Sequence, residues 1–222
     1  FEWAYRSFIG NPEQQIILAL LPNYLEQGDS SLVFMVESLI NKSKDKSSRF
    51  VLNDINKIKK AILEAQQLNK NLVLFGVAYS LLDLCGLGID LNQAIVIETG
   101  GMKGKRKELS KEDLHSKLKK GLNIKNLYSE YGMTELLSQA YCKSDLQFKS
   151  PPWMKIFIRD LYDPLTILDT NKRGGVNVID LANIYSCSFI ATEDTGILIE
   201  NQLQLKGRIE RSDLRGCNLL VE

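Results

Sequence analysis

Tyr128-Ser129-Glu130-Tyr131-Gly132-Met133-Thr134-Glu135 is the stretch whose reading decides the fold. Ile124 to Tyr128, at its start, is apolar enough for a short buried strand, and Glu135 to Cys142, at its end, has helical composition. The spacing predicts strand, tight turn and helix. In an open α/β sheet such a turn aims Thr134 and Glu135 at whatever lies above the strand ends, where these sheets bind ligands. A tyrosine face can stack on a purine, a threonine hydroxyl can hold a phosphate oxygen, and a glutamate can hold Mg²⁺ with its hard oxygens. Those are the requirements of a nucleotide-activating site.

Working outward, strands and helices alternate. Gln15 to Leu21 reads as a buried strand stopped by Pro22. Ser30 to Ile40 has helical spacing of Leu32, Met35, Val36, Leu39 and Ile40, with Ser30 or Ser31 as N-cap. Arg49 to Leu52 is a short strand, and Asp54 caps a helix from Ile55 to Leu68 whose apolar face is Ile58, Ile62, Leu63 and Ala65. Asn71 to Val77 and Ala94 to Ile97 are strands, with a short helix at Ser80 to Cys85 between them. Ser110 caps a helix to Lys120, with Asp113 as a capping-box-like acid. After Pro151-Pro152 the pattern changes to short strand candidates at Met154 to Ile158, Thr166 to Leu168, Val176 to Ile179, Phe189 to Ala191, Ile197 to Ile199 and Leu203 to Leu205. Turn signals separate them at Asp163-Pro164, Arg173-Gly174-Gly175 and Thr195-Gly196. The predicted class is α/β: a mostly parallel sheet flanked by helices over residues 1–150, then a smaller antiparallel β subdomain over 151–222.

Composition narrows the function. The 222 residues are 44% hydrophobic, enough for one large core or two modest ones. The chain begins at Phe1 without methionine and ends within an apolar run, which reads as a piece of a longer protein. A net charge of +1 gives no general pull toward nucleic acid or anionic membrane. No apolar run approaches the ~20 residues of a membrane helix. Cys85, Cys142, Cys187 and Cys217 are scattered, and His115 is the only histidine. That pattern disfavours zinc and Ser-His or Cys-His nucleophile pairs, and reads as free thiols in a cytoplasmic enzyme.

Four motifs follow one another. Glu98-Thr99-Gly100-Gly101 ends a strand, either as an ordinary turn or as glycines that let a flat ring approach the backbone. Tyr131 to Glu135 comes second. Thr192-Glu193-Asp194-Thr195-Gly196 is either a tight turn or a carboxylate placed for ribose hydroxyls. Gly207-Arg208, then Ser212 to Asn218, supplies arginines that hold phosphate and ribose or form a surface ion network.

In that order the motifs resemble those of adenylate-forming enzymes. The chain is similar to the branch that holds phenylacetate–CoA ligases and, more closely, the acyl-protein synthetases (LuxE-type) of bacterial luminescence. The closer resemblance rests on Ala19 to Glu26, Ser30-Ser31-Leu32 with Met35, Gly175 to Thr195 with Ile179-Asp180-Leu181-Ala182, and Arg215 to Leu220. It implies ATP-dependent conversion of a fatty acid, or another carboxylic acid, to an acyl-adenylate, then transfer to a thiol. By position, Tyr131 would stack on adenine beside Gly132, with Gly100 and Gly101 lining the base pocket. Thr134 would bind the α-phosphate and Glu135 the Mg²⁺, while Asp194 would take the ribose hydroxyls with Arg208 nearby. Cys217 matches the cysteine that carries the acyl group in the acyl-protein synthetases.

The Ser/Thr/Gly-rich phosphate loop of the superfamily is not in the sequence and would lie before Phe1; without it these residues alone are expected to be inactive. The mobile domain of the CoA ligases, with its lysine, is not in the sequence either. The rival readings are an acyl- or aryl-CoA ligase and a non-catalytic relative that docks an acyl-CoA reductase-type partner. His115, set among lysines, reads as an exposed surface residue. Lys103, Lys105, Arg106 and Lys107 read either as a solvated loop or as a guide for a phosphate or an acidic partner surface, and Cys85 and Cys142 as core packing.

Overall fold

Gln15–Leu20 is a run of six consecutive buried residues, the mark of a strand covered on both faces. It forms β1 in a computed structural model that describes residues 1–21, 30–51, 54–100, 109–143 and 146–209. The chain divides into compact units at Glu130/Tyr131.

In the first unit β1 pairs in parallel with β2 (Arg49–Phe50) and β3 (Asn71–Val77). The sheet continues through β4 (Ile95–Thr99) and β5 (Asn126–Tyr131), giving the order β2-β1-β3-β4-β5. Its helices are α1 (Glu2–Phe8), α2 (Ser31–Ser43), α3 (Ile55–Leu68), α4 (Ala78–Leu84) and α5 (Lys111–Leu122). Three helices start where side-chain oxygens take orphan backbone N–H groups. Ser30 accepts from Val33, Asp54 from Asn56 and Lys57, and Ser110 from Asp113. They end on left-handed Lys44, Asn69 and Asn123. On α3 the buried residues are Ile58, Ala61 and Ala65, whereas Leu63 is exposed. The register sets Glu98 opposite Ser129 and Thr99 opposite Glu130 at the C-terminal ends of β4 and β5.

The second unit holds β6 (Ala140–Cys142) and an antiparallel sheet in the order β10-β9-β8-β7. Its strands are β7 (Met154–Arg159), β8 (Arg173–Asp180), β9 (Phe189–Ile199) and β10 (Gln202–Arg208). Met154, Ile156 and Ile158 alternate inward along β7 and meet Val176, Val178 and Leu203 in one core.

Four sequence expectations fail here. The helix predicted over Glu135 to Cys142 is instead a looped segment that ends in β6. Its backbone donors are claimed from afar: Leu137 N–H by Asn183 Oδ1 at 3.0 Å, Ser138 N–H by Asp180 Oδ2 at 2.8 Å. Arg173-Gly174-Gly175, read as a turn, lies inside β8. A Cβ at Gly174 would sit 2.1 Å from the Arg159 carbonyl oxygen, and one at Gly175 2.7 Å from the Arg159 guanidinium carbon. The glycines mark close approach, not chain reversal. Thr195-Gly196 likewise lies inside β9, and Thr166 to Leu168 contributes only an isolated bridge between Ile167 and Arg159.

Candidate functional site

An acid and an amide shape the loop that carries Thr134 and Glu135. Asp180 is buried at the end of β8, where it accepts from the Ser138 N–H, the Ser138 hydroxyl and the Ala182 N–H. Trp153 Nε1 adds a bond to the same hydroxyl at 2.8 Å. Asn183 accepts from Leu137 N–H and donates to the Glu135 carbonyl oxygen. With that backbone fixed, the side chains of Thr134 and Glu135 are left in solvent. Exposed hydroxyl and carboxylate on a pinned loop suit a phosphate oxygen and a hard cation respectively. Asp180 and Asn183 were not singled out from the sequence as site residues. The available signal was a lone acid directly after the apolar Val178-Ile179.

Tyr131, Asp194 and Arg208 converge. The Tyr131 ring is 7% exposed, packs edge-on to Phe148 at 5.9 Å, and its hydroxyl donates to Asp194 Oδ2 at 2.8 Å. Arg208 stands directly opposite Asp194 in the β9–β10 register, with Nε 3.9 Å from Asp194 Oδ1 and Nη2 2.8 Å from Glu193 Oε2. Gly207 makes this placement possible: its φ of 111° follows a register shift that turns β10 beside Thr195. Burial pushes the Asp194 carboxyl above the usual range, outweighing the pull of the Tyr131 hydroxyl and the Arg208 charge. Burial, and then the Asp194 charge, raise the Tyr131 phenol. The result is a half-buried carboxylate between a phenol and a guanidinium that stays 46% exposed. A carboxylate of this kind can accept from a diol, and a guanidinium is suited to pairing with an anion.

The first unit has its own polar cluster at the strand ends. Glu98 is fully buried, and its Oε1 accepts from Lys111 Nζ at 2.5 Å and from the Ser129 hydroxyl. His115 Nε2 is 2.8 Å from that hydroxyl and 3.6 Å from Glu98 Oε1. The expectation of an exposed His115 is overturned. The residue is 4% exposed, because α5 buries Leu114, Leu118 and Leu122 and turns the same face of the helix inward at position 115. Thr99 donates to Glu130 Oε2. Burial above all, with the Glu98 charge, pushes Glu130 up to about 7, against the Thr99 hydrogen bond. Glu98 goes the other way: burial raises it, but Lys111, His115 and Ser129 together hold it below the ordinary value.

Gly100 follows β4 with a φ of 67° and is exposed. Gly101, the basic cluster Lys103 to Lys107 and Cys217 lie outside the described residues, as do Pro22 to Glu26 and Arg215 to Leu220. Cys142 is buried, Cys85 is half-buried against Gly121, and Cys187 is exposed; all three are free thiols. Among the described residues no group of His, Cys, Asp and Glu has the makings of a three-ligand metal centre. No helix among them is long and apolar enough to cross a membrane.

No family model and no curated protein matches the sequence. Solved structures do match. MatB from Rhodopseudomonas palustris with ATP bound superposes with a TM-score of 0.65 at 14% identity, over 93% of this chain and 42% of that one. The amide bond synthetase McbA from Marinactinospora thermotolerans gives 0.60 at 17% identity, over 92% and 44%. McyG A-PCP complexed with phenylalanyl-adenylate gives 0.57 at 14% identity, over 89% and 40%. The chain has the fold of these structures: a mainly parallel sheet flanked by helices, followed by a separate antiparallel sheet. The chain spans less than half the length of these three proteins. At such identities the likeness is one of fold, and the residues carry the rest.

Proposed function

We propose that the protein belongs to an ATP-dependent ligase that activates a fatty acid, or a related carboxylic acid, as its acyl-adenylate and passes the acyl group to a thiol. The observation that carries this reading is the convergence of Tyr131, Asp194 and Arg208, which three separate sequence motifs supply, the β9–β10 register uniting Asp194 with Arg208 and a hydrogen bond joining Tyr131 to them. In this reading Asp194 accepts the ribose hydroxyls, Arg208 faces phosphate, and Tyr131 and Gly132 border the base. Thr134 donates to the α-phosphate. Glu135 is the residue for Mg²⁺, which when bound would offset phosphate charge. The ATP bound to MatB and the phenylalanyl-adenylate complexed with McyG A-PCP support the same reading.

The chemistry needs little from acid–base side chains. A carboxylate oxygen of the substrate attacks the α-phosphorus, the bond to the β-phosphate oxygen breaks, and pyrophosphate leaves with the electron pair. The mixed anhydride is then open to a thiolate, with AMP as leaving group. Preorganised donors aimed at the phosphate act where charge develops. No histidine is required, and the protein's only one is committed to Ser129 in a buried cluster.

For the thiol, we propose Cys217, on the resemblance to the acyl-protein synthetases. The full-length protein with ATP, Mg²⁺ and a labelled fatty acid should acquire label that survives denaturation and is released by hydroxylamine. Cys217→Ala should abolish the labelling and leave ATP–pyrophosphate exchange intact. Label retained on the alanine variant, or captured by added CoA in place of the protein, would exclude Cys217 and favour a CoA ligase.

A further inference from the structure

The β8–β9 ladder breaks opposite the acidic motif. Gly175 pairs with Thr195 and Asn177 with Ala191, so the single residue Val176 faces Thr192, Glu193 and Asp194. Two surplus residues on β9 form a bulge, and the residues displaced by it are Glu193 and Asp194, which meet Arg208 and Tyr131. A bulge leaves ladder groups without backbone partners, and buried ones need substitutes. Arg159 supplies them. From β7 its guanidinium passes beneath Gly175: Nη1 donates to the Val176 carbonyl oxygen at 2.9 Å and to Asn177 Oδ1 at 2.7 Å. Nη2 donates to the Thr192 carbonyl oxygen at 2.7 Å. The Thr192 hydroxyl completes the patch, donating to the Val176 carbonyl oxygen at 2.9 Å and accepting from Asp194 N–H at 3.1 Å.

We infer that Arg159 is a positioning residue that clamps this bulge and so fixes where Asp194 presents its carboxylate. Three features set it apart from an ordinary surface arginine. It is 9% exposed, and these hydrogen bonds go to carbonyl and amide oxygens, with no carboxylate among them. Such an uncompensated buried cation is costly unless its hydrogen bonds are used. Its planar fork reaches two strands at once, which a single ammonium cannot do. The chain also gives up a side chain at Gly175 to make room for it. That glycine and the arginine that reaches across β8 are one device.

The proposal rests on the reading of Asp194 as a nucleotide-binding residue, and the test separates the two. Arg159→Lys keeps the charge and loses the fork; Gly175→Ala keeps Arg159 and displaces its guanidinium. In the full-length protein either variant should raise the KM for ATP about tenfold, the loss of one good hydrogen bond, and by more than it lowers kcat. Neither should weaken AMP binding further in an Asp194→Asn background, because the clamp acts through that carboxylate. Hydrogen exchange read on peptides spanning 189–199 should quicken in both variants, whether or not any nucleotide binds. Unchanged exchange there, or an additive loss with Asp194→Asn, would overturn the clamp. If the unmutated protein binds no adenine nucleotide but exchange still quickens, the clamp stands and the function assigned to Asp194 falls.

Discussion

Among the described residues Glu130 carries a clear pH signature. The folded protein holds its proton up to about pH 7, whereas the unfolded chain releases it near the ordinary value of 4.5. Between those values the folded state binds more protons, so stability falls as pH rises. The contribution is complete below pH 4.5 and gone above about pH 7. It is worth on the order of 3 kcal/mol. Glu98 behaves oppositely, since its carboxyl is held below the ordinary value; its contribution is present above pH 4.5 and lost in more acid solution. Glu130→Gln should therefore flatten the decline in urea midpoint between pH 4.5 and 7 and leave the acid limb in place. An unaltered slope would mean that another group titrates in that window. At the other acid of the motif, Glu135→Gln should lower ATP–pyrophosphate exchange by about 10²-fold if charge at the phosphates dominates. Exchange unchanged in an otherwise active protein would remove Glu135 from the mechanism. Of these residues the sequence made Glu135 conspicuous and hid Glu130. The reason is physical: its environment is built by Thr99 and Glu98, which become neighbours only through parallel pairing of β4 with β5.

Elements that depend on their own caps and periodicity were legible. Ser30, Asp54 and Ser110 announce α2, α3 and α5 because each satisfies orphan N–H groups within three residues of itself. Asp54→Ala should accordingly cost about 1 kcal/mol of stability, read as a lowered denaturation midpoint; no change would show that solvent replaces the cap at no cost. Elements governed from a distance were not legible. Glu135 to Cys142 has helical composition, yet Asp180 and Asn183 take its donors from more than forty residues away. The glycines of β8 and β9 look like turn residues until the opposing groups, Arg159 at Gly174 and Gly175 and Leu203 at Gly196, are known. The charge pair Asp194–Arg208 was visible as two separate motifs, and only the β9–β10 register makes it a pair.

At the scale of the molecule, the pH-sensitive cluster and the convergent motifs fall in different units. Glu98, Glu130, Lys111 and His115 belong to residues 2–130, whereas Tyr131, Thr134, Glu135, Asp194 and Arg208 belong to the second unit. The sequence also provides a reporter for each, because its two tryptophans are Trp3 in the first unit and Trp153 in the second. Trp3→Phe leaves the second unit's signal and Trp153→Phe leaves the first's. Trp153 is a sensitive probe, since its indole N–H is bound to Ser138 at the base of the loop that carries Glu135. In urea titrations of the single-tryptophan variants, AMP at one hundred times its Kd should raise stability reported by Trp153 by about 2.7 kcal/mol through mass action. Raising the pH from 4.5 to 7 should lower the stability reported by Trp3, and Glu130→Gln should remove that loss. A nucleotide effect on Trp3 with none on Trp153 would mean that AMP binds through the first unit alone, and Asp194 and Arg208 would lose their assignment. An effect on both with equal size would mean that the units unfold as one, since a ligand bound to either part then stabilises the whole transition.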